Sequence, residues 1–398
     1  MVRMFGYGLI SVVLALYLGA SGLEPARIGL LLTLTLVGDA AISLWLTIRA
    51  DRAGRRRTLI VGSALMVLAG ATFAATGDFW LLLVAAIVGV ISPSGNEVGP
   101  FLPIEQSALA QVVRSDQRTG VFAWYQLAGS AATASGALFA GVMAQALIDA
   151  GSRPVDGYRA VVVGYAVLGG VLFLGFLPLS RAIEPPRPSA DRLADRFGLH
   201  GSRRTVFSLA ALFALDSFGG GFVIQSVVAL WLAVRWGIEP VGLGAVFFGA
   251  NLLAGASALA AVPLARRFGL VRTMVWTHLP SNLLLILVPL MPSAALAVTV
   301  LVARFAISQM DVPTRQSYVM AVVAPDERSA AAGITGVIRS LGAALSPSLA
   351  VPLVALGGLA AGIPFFLAGG LKIAYDLGLW RRFRAVRPVE EVEPRSAL

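Results

Sequence analysis

The amino-acid sequence predicts an all-α membrane protein with twelve transmembrane helices in two pseudo-symmetric six-helix bundles. Composition is the first indication. Hydrophobic residues make up 57% of the chain, charged residues 13%, and the mean hydropathy is +0.82. Soluble domains carry about 25% charged residues, so this surface is suited to lipid. The second indication is a series of apolar runs long enough to cross a bilayer, and the third is an internal repeat that lays the first five runs onto runs seven to eleven.

A hydrocarbon core of roughly 30 Å takes about 20 apolar residues in a helix rising ~1.5 Å per residue. Runs of this kind fall at about 3–22, 27–48, 58–77, 79–113, 119–148, 158–180, 205–235, 240–264, 272–291, 294–323, 330–356 and 359–380. The first, Met4 to Gly19, leads into Glu24-Pro25 with no small-residue cleavage pattern and reads as a membrane helix rather than a signal peptide. The fourth and tenth are too long for one straight span, and Pro93, Pro100, Pro103 and Pro313 are expected to bend them. The polar stretch Pro185 to Arg204 reads as a linker. The expected organisation is therefore a first half over 1–180, a cytoplasmic linker over 181–204, a second half over 205–383 and a cytoplasmic tail over 384–398.

The formal charge of +10 is almost wholly arginine, Lys372 being the one lysine. Arginines crowd 49–57, 181–204, 266–272 and 381–387, whereas the alternate loops are sparsely charged, which places both termini in the cytoplasm and explains the basicity without nucleic acid. Cysteine is absent, and His200 and His278 sit at unrelated positions. Disulfides, thiolate chemistry and a protein-built zinc site are thereby excluded, and neither a metal nor a cofactor is expected. The single lysine lies outside any Walker loop, so ATP does not drive this chain. With no serine–histidine pair or metal cluster in the sequence, an enzyme is not expected.

The repeat is direct. Gly22-Leu23-Glu24-Pro25 recurs as Gly237-Ile238-Glu239-Pro240 at an offset of 215, and the same frame lays Asp51-Arg52-Ala53-Gly54 onto Arg266-Arg267-Phe268-Gly269. Further on, Pro103, Gln106, Ser107, Asp116 and Arg118 fall on Pro313, Gln316, Ser317, Asp326 and Arg328 at an offset of 210. Parallel six-helix repeats of this kind are a transporter architecture, with the solute site between the halves.

With these residues in place the chain resembles the major facilitator superfamily over essentially its whole length. Asp51-Arg52-x-Gly54-Arg55-Arg56 is similar to the family's cytoplasmic signature G-x-x-x-D-R-x-G-R-R, with Thr47 where the family prefers glycine. The resemblance implies that this loop latches the outward-open state. The second-half copy has Arg266 in place of the acid, so the latch is expected to be asymmetric. A pattern associated with exporters, G-x-x-x-G-P, is degenerate here: the fifth run has Gly129, Ser135, Gly136 and Gly141, and the eleventh has Gly342-x-x-x-Ser346-Pro347. The resemblance further implies a monomer in a bacterial cytoplasmic membrane, with a small-molecule substrate, protons and membrane lipids as partners.

An ionisable group in hydrocarbon needs a partner, a wet cavity or a function. Asp39, Glu105, Asp216 and Arg315 lie roughly 16–18 Å from the arginine-rich loops, near mid-membrane. Asp39 and Glu105, followed by Asp216, are the candidates for proton coupling, because desolvation favours the protonated carboxyl. Asp311, Arg315 and Arg339 are candidates for solute binding or gating, with Arg304, Asp311 and Arg315 expected on one face of the tenth helix. Glu105 and Arg315 are repeat counterparts and are expected to face each other as a gate or as a charge-selective binding pair. Glu97 lies nearer the outer mouth. Tyr125, Gln126, Gln225, Asn251 and Asn282 are polar candidates for solute contact, and Lys372 and Asp376 read as a structural i, i+4 pair. The expectation is a proton-coupled exporter, with a proton-coupled or facilitative importer and a lipid or lysolipid translocator as alternatives.

Overall fold

The computed structural model describes residues 1–96, 99, 101–113, 118–180, 184, 199–324 and 327–385. All regular structure among them is helical. The helices are α1 (Val2–Ala20), α2 (Pro25–Ala53), α3 (Arg55–Ala75), α4 (Phe79–Val88), α5 (Phe101–Val112), α6 (Arg118–Asp149), α7 (Pro154–Phe176), α8 (Arg203–Gly221), α9 (Gln225–Trp236), α10 (Pro240–Phe268), α11 (Leu270–Leu287), α12 (Ala294–Phe305), α13 (Asp311–Ala321), α14 (Arg328–Leu345), α15 (Pro347–Ala355) and α16 (Ile363–Phe383). Among the described residues, ten apolar stretches are long enough to cross a membrane, and two shorter apolar helices, α4 and α12, open the fourth and tenth segments.

The long fourth and tenth segments are broken rather than bent: the fourth between α4 and α5, the tenth over the residues between Phe305 and Asp311. The seventh and eleventh segments are broken too, at Phe222–Ile224 and at Ser346. The sequence signals for these are Gly219-Gly220-Gly221 and Pro347, since glycine destabilises a helix and proline lacks the N–H that would continue one.

The repeat is exact in secondary structure where its frame is ungapped. Helices α2 and α10 are both 29 residues long and begin on Pro25 and Pro240. Each follows a glycine in the left-handed region, Gly22 with φ 87° and Gly237 with φ 63°. The residue after each glycine donates back into the preceding helix, Leu23 N–H to Leu18 O and Ile238 N–H to Leu232 O, five and six residues back. Glycine ends one helix and proline, its φ already helical, starts the next. The frame holds at the far end as well, where Gly54 (φ 97°) and Gly269 (φ 85°) introduce α3 and α11.

By contacts the chain groups into two units. The first comprises 1–188, 222–252 and 344–364, so α9, the start of α10 and α15 pack with the helices of the first half. Helix α1 is buried on nearly all sides, and backbones cross it closely: a Cβ on Gly8 would sit 1.9 Å from Thr133 O, and one on Gly136 1.9 Å from Phe5 O. Trp45, Trp80, Trp124 and Leu174 are exposed, as expected of apolar side chains that face lipid. The second unit comprises 189–221, 253–343 and 365–398. Its core packs Leu209 and Phe213 of α8, Met274 of α11, Tyr318 of α13 and Tyr375 and Leu379 of α16.

Candidate functional site

Each unit buries its own set of charges. In the first, Arg3 of α1 is 4% exposed. It donates from Nη2 to Glu105 Oε2 at 2.9 Å and to the Tyr125 hydroxyl at 3.3 Å, and Tyr125 donates to the same carboxylate oxygen. The guanidinium lies over the Phe101 ring, 4.6 Å from its centroid. Glu105 is 25% exposed and Arg3 is buried, so the carboxylate is the accessible member of the pair.

Asp39 of α2 accepts the Gly99 N–H at 2.8 Å and the Ser43 hydroxyl at 3.3 Å. It thus holds the backbone of the break between α4 and α5, where Gly99 has φ 80°. Gln225 Nε2 donates to Ser11 Oγ at 2.9 Å, and Asn251 Nδ2 donates to Gln225 Oε1 at 3.3 Å. Ser226 donates to Ser11 O and Pro93 O, both at 2.7 Å. These bonds join α9 and α10 to α1, and a close backbone approach joins α10 to α6: a Cβ on Gly141 would meet Pro240 O at 2.3 Å. The small residues of the fifth segment therefore serve helix contact. Gln126 is exposed.

The second unit holds the larger cluster. Asp216 of α8 accepts Lys372 Nζ at 2.7 Å and Arg315 Nη1 at 3.3 Å, and Arg315 also donates to Asp311 Oδ2 at 2.8 Å. His278 Nδ1 is 2.9 Å from Asp376 Oδ1, and its Nε2 is 3.8 Å from Asp216 Oδ1. Asn282 Nδ2 donates to Asp376 Oδ2 at 2.9 Å. All of these side chains are buried. Ions removed from water cost several kcal/mol each unless they are paired and hydrogen-bonded, which is why they gather here. Arg304 and Arg339 lie within electrostatic range of Asp216 and Asp311. The Nε of each has no hydrogen-bond partner among the described residues.

Several sequence expectations change. Lys372 and Asp376 do not pair with each other: Lys372 reaches Asp216 and Asp376 is held by His278 and Asn282. Glu105 and Arg315 are each paired inside their own unit, with Arg3 and with Asp216 and Asp311. Arg304 lies in the last turn of α12 and Asp311 begins α13, so the charged stripe of the tenth segment is interrupted. The ninth segment adds an ionisable group to this cluster, His278, which is 3% exposed. Sequence reading passed over Arg3 and His278. The available signals were a cation in the first apolar run and a histidine four residues before Asn282.

At the signature loop, Glu184 accepts the Arg55 N–H at 2.7 Å and the Arg56 N–H at 3.2 Å, and Arg56 Nη2 donates to Leu177 O. A Cβ on Gly54 would lie 3.2 Å from the Glu184 carboxylate, so both its φ and its space call for glycine. The carboxylate caps the start of α3. The side chains of Asp51 and Arg52, and the residues Glu97, Asp116 and Asp326, lie outside the described residues.

The sequence profile described as the Major Facilitator Superfamily matches residues 1–347. The chain belongs to the major facilitator superfamily. It is 31% identical over 375 residues to an uncharacterized membrane protein of Saccharomyces cerevisiae, YJR124C, covering 87% of this chain and 84% of the yeast protein. Solved superfamily folds superpose on it at low identity. A nucleoside transporter, NupG, gives a TM-score of 0.73 at 12% identity with 96% of both chains covered. A D-xylose-proton symporter gives 0.72 at 14% identity, covering 96% of this chain and 95% of that one. A bacterial homolog of the human lysosomal transporter Spinster gives 0.70 at 18% identity, covering 100% and 96%. The protein is thus an integral, multi-pass superfamily transporter.

Proposed function

We propose that this chain exports a small polar solute in exchange for protons by alternating access. Its two sequence halves, 1–180 and 205–383, are the rocking bodies, and both termini face the cytoplasm. The observation that carries the reading is the set of buried charges in the second unit. Two arginines with unpartnered Nε atoms, Arg304 and Arg339, stand near carboxylates that already have cations. Groups so placed suit a polar or charged solute, and the carboxylates Asp216 and Glu105 suit a proton that competes with their cations. Lipids surround the protein, and a single copy completes both clusters.

The test begins with a thermal-shift screen over solutes and pH, since a ligand of the native state raises its stability. The solute found is then loaded into proteoliposomes and a pH gradient is imposed. Solute should leave the protein's cytoplasmic side against its own gradient, and Asp216→Asn or Glu105→Gln should abolish this in protein that still unfolds cooperatively, at a lower melting point because each leaves a buried cation. Solute flux that ignores the pH gradient overturns proton coupling, and flux only in the opposite direction overturns export.

A further inference from the structure

We infer that His278 and Asp376 form a proton-binding pair in the second unit, joined to the Asp216 ion cluster through the imidazole ring. The inference deepens the proton-coupled reading by giving the proton a place, but the site itself can be tested without transport.

The charge inventory is what isolates the pair. Asp216 has Lys372 and Arg315 as counter-ions, and Asp311 has Arg315. Asp376 is 0% exposed and its charged or polar partners are His278 and Asn282. From α12 and α14, Arg304 and Arg339 act on Asp216 and Asp311, and from α16 the Tyr375 ring meets the imidazole edge-on at 5.8 Å between centroids. Arginine keeps its proton, whereas histidine changes charge between about pH 5 and 8. The pair therefore sets the charge of the cluster: a neutral imidazole beside ionised Asp376 leaves the pair with one negative charge, and one added proton makes it neutral.

The imidazole stands between two carboxylates, with Asp376 Oδ1 2.9 Å from Nδ1 and Asp216 Oδ1 3.8 Å from Nε2. A proton arriving from the aqueous phase forms one N–H bond on this ring and breaks none. The imidazolium then presents an N–H to each carboxylate. Asn282 supplies the complementary adjustment. Its Nδ2 lies 2.9 Å from Asp376 Oδ2 and 3.2 Å from His278 Nδ1, while its Oδ1 has no partner. Turning the amide over exchanges donor for acceptor at the same place, so the site can satisfy either an ionised or a protonated pair. A third cation beside Asp216 competes with Arg315 for its carboxylate, which loosens an arginine that also bonds Asp311.

The chain has two histidines, His200 and His278, which makes the test direct. The full-length protein, labelled with 15N-histidine in lipid nanodiscs, is titrated from pH 5 to 9, and a His200→Gln variant assigns the signals. The His278 ring should pass from neutral to charged within this range, and Asp376→Asn should move the midpoint by about one pH unit or more, a tenfold change in proton affinity. A ring that stays in one protonation state across the range in the unaltered protein overturns the inference, as does a midpoint unmoved by Asp376→Asn. The unaltered protein suffices for the first outcome, so a variant that fails to fold does not shelter the idea. Proton-driven flux in vesicles is a separate reading: its absence refutes coupled transport and leaves the titration as it is.

Discussion

Replacing Gly141 by alanine should loosen the packing of α10 against α6. The added Cβ would lie 2.3 Å from Pro240 O and 3.0 Å from the Gly244 Cα, where ordinary contact begins at 3.4 Å. The backbones must then separate by about 1 Å, an overpacking that costs about 1–3 kcal/mol. If α9 and α10 leave α1 and α6 as part of a rocking cycle, the arrangement without these contacts gains population by roughly 5–150-fold. The absence of cysteine provides a clean reporter. Ser226 is fully buried and bonded to Ser11 O and Pro93 O, so Ser226→Cys should react slowly with a membrane-impermeant maleimide. Gly141→Ala should accelerate that reaction by the factor above. Gly164→Ala, at a glycine of α7 with nothing within 4 Å of a new Cβ, serves as the control. Labelling no faster in Gly141→Ala than in this control would refute the reasoning.

Two further predictions concern the second unit. Lys372→Met leaves Asp216 buried with Arg315 at 3.3 Å as its remaining hydrogen-bonded cation, so stability should fall by about 1–3 kcal/mol, less than the ~3–5 of a fully broken buried pair; the double variant Asp216→Asn/Lys372→Met should melt higher than the single one, and equal melting points would refute the pairing. Glu327, in the loop before α14, accepts backbone N–H groups of His200, Gly201 and Ser202, and bonds from Ser202 and these amides hold its carboxyl below the ordinary carboxylate range. A depressed carboxyl stabilises the fold above its unfolded value of about 4.3 and loses that contribution as pH falls through the folded value, so Glu327→Gln should lower the melting point at pH 7 and match the unaltered protein in strong acid.

Much of the fold was legible because lipid imposes simple rules. Segment length and apolarity located the spans, and Gly22-x-x-Pro25 with its copy at Gly237-x-x-Pro240 marked both the turns and the repeat, since glycine takes a positive φ without strain and proline has its φ already set for a helix start. The candidate site was legible as a set of charges but not as a set of pairs. Spacing along α16 suggested Lys372 with Asp376, yet the long lysine stem reaches α8, and Asp376 is met from α11. Desolvation, which depends on all the packed helices, decides such partners, and sequence spacing carries only the local term. Arg3 escaped notice because a cation at the edge of an apolar run reads as a topology signal. Its burial against Phe101 and Glu105 is visible only after α1 and α5 meet.

Between α4 and α5 the chain leaves the helical ladder, and its polar groups are met from three other helices. Tyr165 of α7 donates to Val90 O, Ser226 of α9 donates twice to Pro93 O, and Asp39 of α2 accepts from Gly99 N–H. An unbroken helix satisfies itself and moves as a rod. Cut here, the fourth segment becomes a lever with its pivot fastened to its neighbours. Withdrawing α9 takes away two of the donors to Pro93, so the joint must find new partners or turn. The arm beyond it carries Glu105 in its second turn, so the fastened joint and that carboxylate belong to one segment.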